Sequence, residues 1–341
     1  MHAQFPQTTM NTPSIICPDC DTFTRRDFFK TTIGAAAAAT LGGIVPARAV
    51  DLTKGKSETL VATLYKSLSE EQRKHLCFSF DDPLRSKVNN NWMINKSQKE
   101  MLNADQQAMV RDIFLGLHSP EYAQRVMEQV VHDSEGDGFD GGTSVALFGE
   151  PGNGNFEFVL AGRHVTRRCD GDSVDGTAFG GPIFYGHAAH GFNEAAGHPD
   201  NIYWYQAKRA NEVFQMFDGK QREIALLGDG RPEKANDTVK LSGKTEGLAG
   251  IGVSQLSADQ KAHVRDVMSD VLAPFRKVDA DEALKLIEAS GFDNLHLSFY
   301  KNQVIGNDGV WDVWQIEGPN MIWYFRGKPH VHVWVNVRAS A

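Results

Sequence analysis

The chain has 341 residues, with 35 Lys and Arg against 43 Asp and Glu, which gives a formal net charge of −8 at pH 7. A chain this acidic has no general attraction for nucleic-acid phosphates or for anionic lipid. No basic stripe with interleaved aromatic residues occurs in it either. The composition therefore argues against nucleic acid as a partner.

The first 49 residues have the layout of an export signal. Residues 24–30 read TRRDFFK, residues 31–45 are uncharged, and residues 47–49 read ARA, which is typical of a cleavage site. The uncharged stretch is shorter than the roughly 20 residues that a stable membrane helix needs. The paired arginines resemble the signal read by the twin-arginine translocase, which exports folded proteins.

The sequence therefore predicts a twin-arginine signal peptide over residues 1–49 and a mature domain over residues 50–341. The expected location is periplasmic or secreted, with the translocase as a partner during export and no stable membrane span. An uncleaved signal anchor is the alternative. After cleavage only Cys77 and Cys169 remain, so the mature chain can form at most one internal disulfide or can keep two separate thiols.

An internal repeat indicates the organisation of the mature chain. Residues 102–112 (LNADQQAMVRD) and 256–266 (LSADQKAHVRD) are identical at eight of eleven positions. We interpret them as equivalent parts of two half-units, over approximately 100–200 and 255–341. Each half-unit is expected to contain two helices followed by antiparallel strands, which is an α+β fold because helices and strands are segregated.

Helix starts are predicted near residues 69 and 257. Ser69 is followed three residues later by Gln72, and Ser257 by Gln260. This spacing allows the hydroxyl and the amide to cap each other's backbone donors.

Four short aromatic-rich segments at the C-terminus, 293–302, 309–317, 320–327 and 329–338, predict an antiparallel meander. In the last segment valines alternate with His330, His332 and Trp334, so the valines are expected to face the core. Histidines two apart on a strand project in parallel about 6.5 Å apart and can converge on one metal ion. The alternative is that both histidines lie on a half-exposed sheet.

A third ligand is expected from His187 or His190 in a glycine-rich loop, or from His164. We interpret residues 155–169 as one strand that carries His164. For His187 and His190 the alternative is a polar loop that caps its own backbone.

Two further residues are candidates for catalysis. Arg163, like Arg167 and Arg168, can hold an anionic substrate group, although a charged strand edge explains these arginines equally well. Glu317 is the candidate proton shuttle, and a strand-end acid before a Gly-Pro turn is its alternative.

Several familiar site classes are excluded. The acidic loop that starts at Asp133 has Ser144 where a calcium loop needs a bidentate glutamate. The chain also lacks a nucleophile elbow, a phosphate-binding loop, a zincin helix and a dinucleotide fingerprint.

Four segments together resemble the bacterial domain of unknown function 3500: GRHVT at 162–166, FGGPIFYGH at 179–187, WQIEGP at 314–319 and PHVH at 329–332. The resemblance covers nearly the whole mature chain. It implies a domain of this extent in which these histidines are prominent. It implies no reaction, because the family has no assigned activity.

The leading hypothesis is an exported metalloenzyme whose histidine-centred site holds copper, iron or zinc. Copper or iron would indicate an oxidoreductase and zinc a hydrolase. The alternative is a non-catalytic domain in which Trp311, Trp323 and Trp334 form an aromatic platform for a carbohydrate or another small molecule. A structural protein of the cell envelope is a third possibility.

Overall fold

The computed structural model of the protein describes residues 57–187, 198, 201–302 and 309–341. The helices in this part are α1 Ser57–Ser67, α2 Glu70–Leu76, α3 Gln98–Met101, α4 Ala104–Gly116, α5 Ala123–Asp133, α6 Gly138–Gly142, α7 Tyr205–Gln215, α8 Gly219–Ala225, α9 Ala258–Leu272 and α10 Lys277–Ala289. The strands are β1 Cys77–Phe78, β2 Thr143–Gly149, β3 Phe156–Gly162, β4 Val165–Cys169, β5 Ile183–His187, β6 Leu226–Leu227, β7 Ile251–Gly252, β8 His296–Tyr300, β9 Val313–Gly318, β10 Met321–Arg326 and β11 Val331–Val337.

The eleven strands form one sheet in the order β1-β2-β3-β4-β5-β11-β10-β9-β8-β6, and β7 pairs with β8 off this path. The pairs β1–β2 and β6–β8 are parallel, whereas the other pairs are antiparallel. The central pair is β5 and β11. The α+β fold class and the C-terminal antiparallel meander are therefore confirmed.

Both faces of the sheet are covered. The face that carries the β11 valines packs in the main core with the helices, and Trp314 and Trp323 lie in the same core. The opposite face carries a second core that includes Phe184, Tyr324 and Trp334. The valine face is thus a core face, as the alternation predicts, but its other side is not solvated. The half-exposed alternative for His330 and His332 is wrong, because both residues are buried.

The two predicted helix caps are present. The hydroxyl of Ser69 accepts from the backbone N–H of Gln72, and the Gln72 amide oxygen accepts from the backbone of Ser69. Ser257 and Gln260 form the same reciprocal pair. Each pair satisfies two backbone donors that a helix start leaves without a helical acceptor.

The expectation of one continuous strand over 155–169 is wrong, because the chain reverses at Arg163 and His164. Gly162 pairs directly with Val165, which leaves a two-residue turn between β3 and β4. His164 adopts the left-handed backbone region with a φ of 54°. Histidine is among the non-glycine residues that accept this region most readily. The reversal removes His164 from the strand and places it at the tip of a hairpin.

Cys77 and Cys169 are both free thiols, and Cys169 is buried. Burial raises the pKa of Cys77 to about 11. The proposed signal segment lies outside the described residues. Among the residues that the structure does describe, no helix has the length and apolar character to cross a membrane.

His118 is a buried histidine with two fixed hydrogen bonds. Its Nδ1 lies 2.8 Å from the carbonyl oxygen of Phe114, and the Nε of Arg167 donates to its Nε2 at 3.1 Å. These contacts require a neutral ring with the proton on Nδ1. Burial, reinforced by the Arg167 charge, holds the pKa of His118 well below its usual value.

We expect His118 to make the protein less stable in acid. Below a pH of about 6.5 the unfolded chain binds a proton at this histidine that the folded chain does not. The free energy of unfolding should therefore fall by about 1.4 kcal/mol per pH unit for this group as the pH drops, until the folded histidine also titrates. Urea unfolding at pH 7.5, 6.5 and 5.5 measures how steeply the free energy of unfolding depends on pH. His118→Gln should remove the contribution of this histidine from that dependence. His75→Gln, at an exposed histidine, is the control, and an equal slope in the His118 variant would contradict the expectation.

Candidate metal centre

The side chains of three histidines meet at the end of the central strands. His332 lies near the start of β11, His330 immediately precedes that strand, and His164 comes from the turn between β3 and β4. β5 lies between β4 and β11, and its Gly186 pairs with His332. A Cβ on Gly186 would lie 3.4 Å from the Cδ2 atom of His164. The missing side chain at Gly186 therefore leaves room for the His164 ring.

The three Nε2 atoms point towards one another. The Nε2 of His332 lies 3.2 Å from that of His164 and 2.9 Å from that of His330. One ligand atom from each ring lies within 4.8 Å of the other two. Nitrogen atoms bound tetrahedrally to zinc at 2.0–2.1 Å are about 3.3 Å apart. The spacing of these histidines is therefore that of ligands around one small cation.

All three rings are deeply buried, with relative exposures of 2% for His164, 5% for His330 and 0% for His332. Burial is the main reason that the pKa of each ring lies well below its usual value, and the charges of Arg163 and Arg326 lower it further. The rings are therefore neutral at pH 7. A neutral imidazole offers one lone pair, which is the form that binds metals.

Two carboxylates lie behind two of these rings. Asp133, at the end of α5, places its Oδ2 3.2 Å from the Nδ1 of His164. Glu233 places its Oε2 2.5 Å from the Nδ1 of His332. A carboxylate on Nδ1 keeps the proton there and leaves the Nε2 lone pair directed at the centre. This is the arrangement that carboxylates adopt behind metal-binding histidines.

Arg326 completes the surroundings of His332. Its Nε lies 3.0 Å from the Oε1 of Glu233, and its Nη2 lies 2.6 Å from the Nδ1 of His332. A guanidinium only donates and a carboxylate only accepts, so these two neighbours of Nδ1 favour opposite tautomers. The Glu233 contact is the shorter of the two, at 2.5 Å, and it favours the proton on Nδ1. Burial raises the pKa of Glu233, while the Arg326 charge opposes this.

His187 lies outside this cluster, contrary to the expectation for it. It pairs with Val331, so its side chain points to the main core, on the face opposite to His332. Its Nδ1 lies 2.6 Å from the Oε1 of Gln129, and its ring stacks on His132 with centroids 5.8 Å apart. His187 faces away from the cluster because successive side chains along β5 point to opposite faces of the sheet. His190 lies outside the described residues.

Glu317 is also remote from the cluster. The residue of β9 that aligns with His332 across β10 is Val313, four positions before Glu317. That difference corresponds to roughly 13 Å along the strand. The Glu317 carboxylate instead accepts from the Nη2 of Arg231 at 2.8 Å and from the Nε2 of Gln315 at 3.0 Å. The structure therefore gives Glu317 no contact with the histidine cluster.

Of the three candidate arginines, only Arg163 lies beside the cluster. It precedes His164 in the turn, forms an ion pair with Glu135, and keeps 17% of its side chain exposed. Arg168 is buried against Glu157 at 2.6 Å. Arg167 is buried and donates to the carbonyl of Phe184 and to His118. The last two arginines thus tie together elements of the fold.

The proposed tryptophan platform is not formed. Trp323 and Trp334 are both buried, and they lie in the two different cores on opposite faces of the sheet. Trp311 is partly buried and packs near Phe214. The three rings therefore share no surface on which a ligand can stack.

The sequence interpretation missed three residues of the site. Asp133 occurs in the acidic loop that was discounted for calcium, Glu233 lies between secondary-structure elements, and Arg326 ends β10. They reach the cluster from three distant parts of the chain. The Asp-rich character of the loop was the only signal that singled out one of them.

We expect Gly186→Ala to damage the fold around the cluster. The added Cβ would lie 2.2 Å from the carbonyl oxygen of Val331. This clash can be relieved only if β11 moves away from β5. Overpacking of this kind costs about 1–3 kcal/mol of unfolding free energy, which urea unfolding measures. Gly219→Ala, at a helix start with no atom within 4 Å of the new Cβ, is the matched control. Equal stabilities for the two variants would contradict the packing argument.

No curated protein and no solved structure shows a significant match to the chain. One family model does match, over residues 53–338, which include all the residues of the histidine cluster. The chain belongs to the family described as "Protein of unknown function (DUF3500)".

Proposed function

We propose that the protein binds one transition-metal ion, zinc, copper or iron, through the Nε2 atoms of His164, His330 and His332. The convergence of these three atoms is the observation that carries the proposal. Nε2 lone pairs that face one another at 2.9 and 3.2 Å repel, and a shared proton relieves only one pair at a time. A cation between the rings accepts all three lone pairs at once.

The charges around the cluster support the same proposal. Asp133 and Glu233 lie behind two of the rings, and the nearby arginines are Arg326, which pairs with Glu233, and Arg163, which pairs with Glu135. An uncompensated charge in a buried position is costly. A cation bound at the centre attracts both carboxylates and so offsets part of the cost of burying them.

We further propose that the protein is a metalloenzyme. Three protein ligands leave a coordination position open, which is typical of catalytic metal sites, whereas structural sites are closed by four ligands. An ion held this way polarises a bound substrate group or activates water. Imidazole ligands suit zinc, copper and iron, so the choice between hydrolytic and oxidative chemistry rests on the metal. In this proposal Arg163, beside the cluster and partly exposed, orients an anionic substrate group.

The metal proposal is tested by elemental analysis of the mature protein after export by its own signal. We expect close to one ion per chain, lost in the folded double variant His330→Ala/His332→Ala. Two control variants should keep the ion: His75→Ala, at the surface, and His187→Asn, on the opposite face of the sheet. Circular dichroism checks that each variant folds. Wild-type protein that holds no metal, even after reconstitution with each of the three ions, would refute the proposal.

We also propose export by the twin-arginine route, on the basis of the order of residues 24–49. Replacement of Arg25 and Arg26 by lysine should keep the charge of the segment and retain the precursor in the cytoplasm. Fractionation followed by mass analysis of the N-terminus measures this, with a start at or near Val50 expected for the exported wild type. Equal export of the double-lysine variant would exclude the twin-arginine route.

Finally, we propose that the two half-units arose from one repeated unit, which also includes the helix and the short edge strand that precede each of them. Outward from the central β5–β11 pair, each side of the sheet has three further antiparallel strands and then a short parallel edge strand. The cap glutamines support the same relation, since Gln72 and Gln106 exchange side-chain hydrogen bonds, as do Gln221 and Gln260. In this proposal the histidine cluster lies where the two half-units meet, at the central β5–β11 pair.

A further inference from the structure

We propose that Glu233 is a positioning residue for the metal ion, and that Glu317 supports it from a distance by anchoring the chain segment that carries it. This inference rests on the proposed metal site. The two glutamates lie on different elements of the fold. Glu233 contacts the histidine cluster, whereas Glu317 acts through Arg231.

Glu233 lies on residues 228–239, which we call the crossing segment. This segment follows β6, runs over the second core and ends in the short 3-10 helix Ala235–Val239. The side chain of Glu233 is only 4% exposed, and its two oxygens contact His332 and Arg326. Glu233 is thus the residue through which the crossing segment reaches a proposed metal ligand.

Hydrogen bonds hold the crossing segment on the sheet before Glu233. The guanidinium of Arg231 donates to the carboxylate of Glu317 at 2.8 Å, to the amide oxygen of Gln315 at 3.2 Å and to the carbonyl of Thr238 at 2.7 Å. The hydroxyl of Tyr324 donates to the carbonyl of Arg231 at 3.2 Å. Arg231 therefore ties the segment both to β9 and to its own far end.

Further hydrogen bonds hold the segment after Glu233. The backbone N–H of Lys234 donates to the hydroxyl of Thr238 at 2.6 Å. The side chain of Asn236 accepts from the backbone of Val88 at 2.9 Å and donates to the carbonyl of Ser86 at 2.8 Å. With anchors on both sides, the carboxylate of Glu233 has little freedom to move away from Nδ1 of His332. That restriction keeps the imidazole proton on Nδ1 and the ring orientation constant before any metal arrives.

Glutamine cannot replace Glu233 in this role. If its amide oxygen accepts from Nδ1 of His332, its NH₂ group faces Arg326, which also only donates. Glu233→Gln should therefore weaken metal binding by about 10- to 100-fold, the range typical of lost carboxylate partners of metal-binding histidines. It should also change the visible spectrum of the cobalt-substituted protein, because the orientation of one ligand changes.

The test measures Zn²⁺ affinity by competition with a chromogenic chelator, together with the Co²⁺ spectrum of each folded variant. The double variant Glu233→Gln/Arg326→Gln restores the net charge but not the carboxylate acceptor. Affinity that stays at least tenfold below wild type in the double variant supports the positioning role. Full recovery in the double variant, or unchanged affinity in Glu233→Gln, would overturn it.

The matched control is Glu157→Gln. Glu157 is a buried glutamate that pairs with Arg85 and Arg168 at the far end of β3. Its replacement by glutamine should leave the Zn²⁺ affinity unchanged. If the Glu233 variants do not fold, Glu317→Gln tests the same chain of contacts from outside the cluster. We expect it to weaken Zn²⁺ binding by about 2- to 30-fold, and an unchanged affinity would overturn the inference. Wild-type protein that binds neither ion would refute the metal site itself, whereas tight wild-type binding with unaffected variants would refute only the role of Glu233.

Discussion

The structure around the central strands depends on one constraint: three neutral imidazoles are buried together, with the Nε2 of His332 lying 3.2 Å from that of His164 and 2.9 Å from that of His330. Removing these rings from water costs their hydration, and their facing lone pairs add repulsion. The surroundings respond with carboxylates on the outer nitrogens and a guanidinium behind one carboxylate. These groups fix the orientation of the rings, and the same arrangement is found behind metal-binding histidines, which is why we propose a metal ion there.

Coverage of both sheet faces makes this cluster possible. On a sheet with one solvated face, His332 would lie in water with an ordinary pKa and a mobile ring. Here the second core and the crossing segment bury that face and bring Glu233 to it. The same burial requires polar groups to have partners, since a buried polar group without one is costly. The network of Arg231, Glu317 and Gln315 meets this requirement for the segment.

Much of the fold could be predicted from local sequence. The Ser–Gln caps, the C-terminal meander and the core-facing valines depend on spacings within a few residues, and each is confirmed. The prediction of one strand over 155–169 was wrong because His164 tolerates a left-handed backbone that sequence patterns do not reveal. The sequence could not show that Glu317 lies away from the histidine cluster, because a position along β9 cannot be compared with β11 until the register of three strands is known.

The sequence by itself determined that His330 and His332 share one face of a strand, because side chains alternate with a period of two. It also placed His164 among the candidates for a third ligand, without a means to choose it over His187. Only the tertiary structure decided between them: the register between β5 and β11 directs His187 into the main core and leaves Gly186 opposite His332. The contributions of Asp133, Glu233 and Arg326 were likewise decided in three dimensions. The physical reason is that side-chain direction is a local property of the backbone, whereas contacts between distant segments depend on strand register and on the packing that buries them.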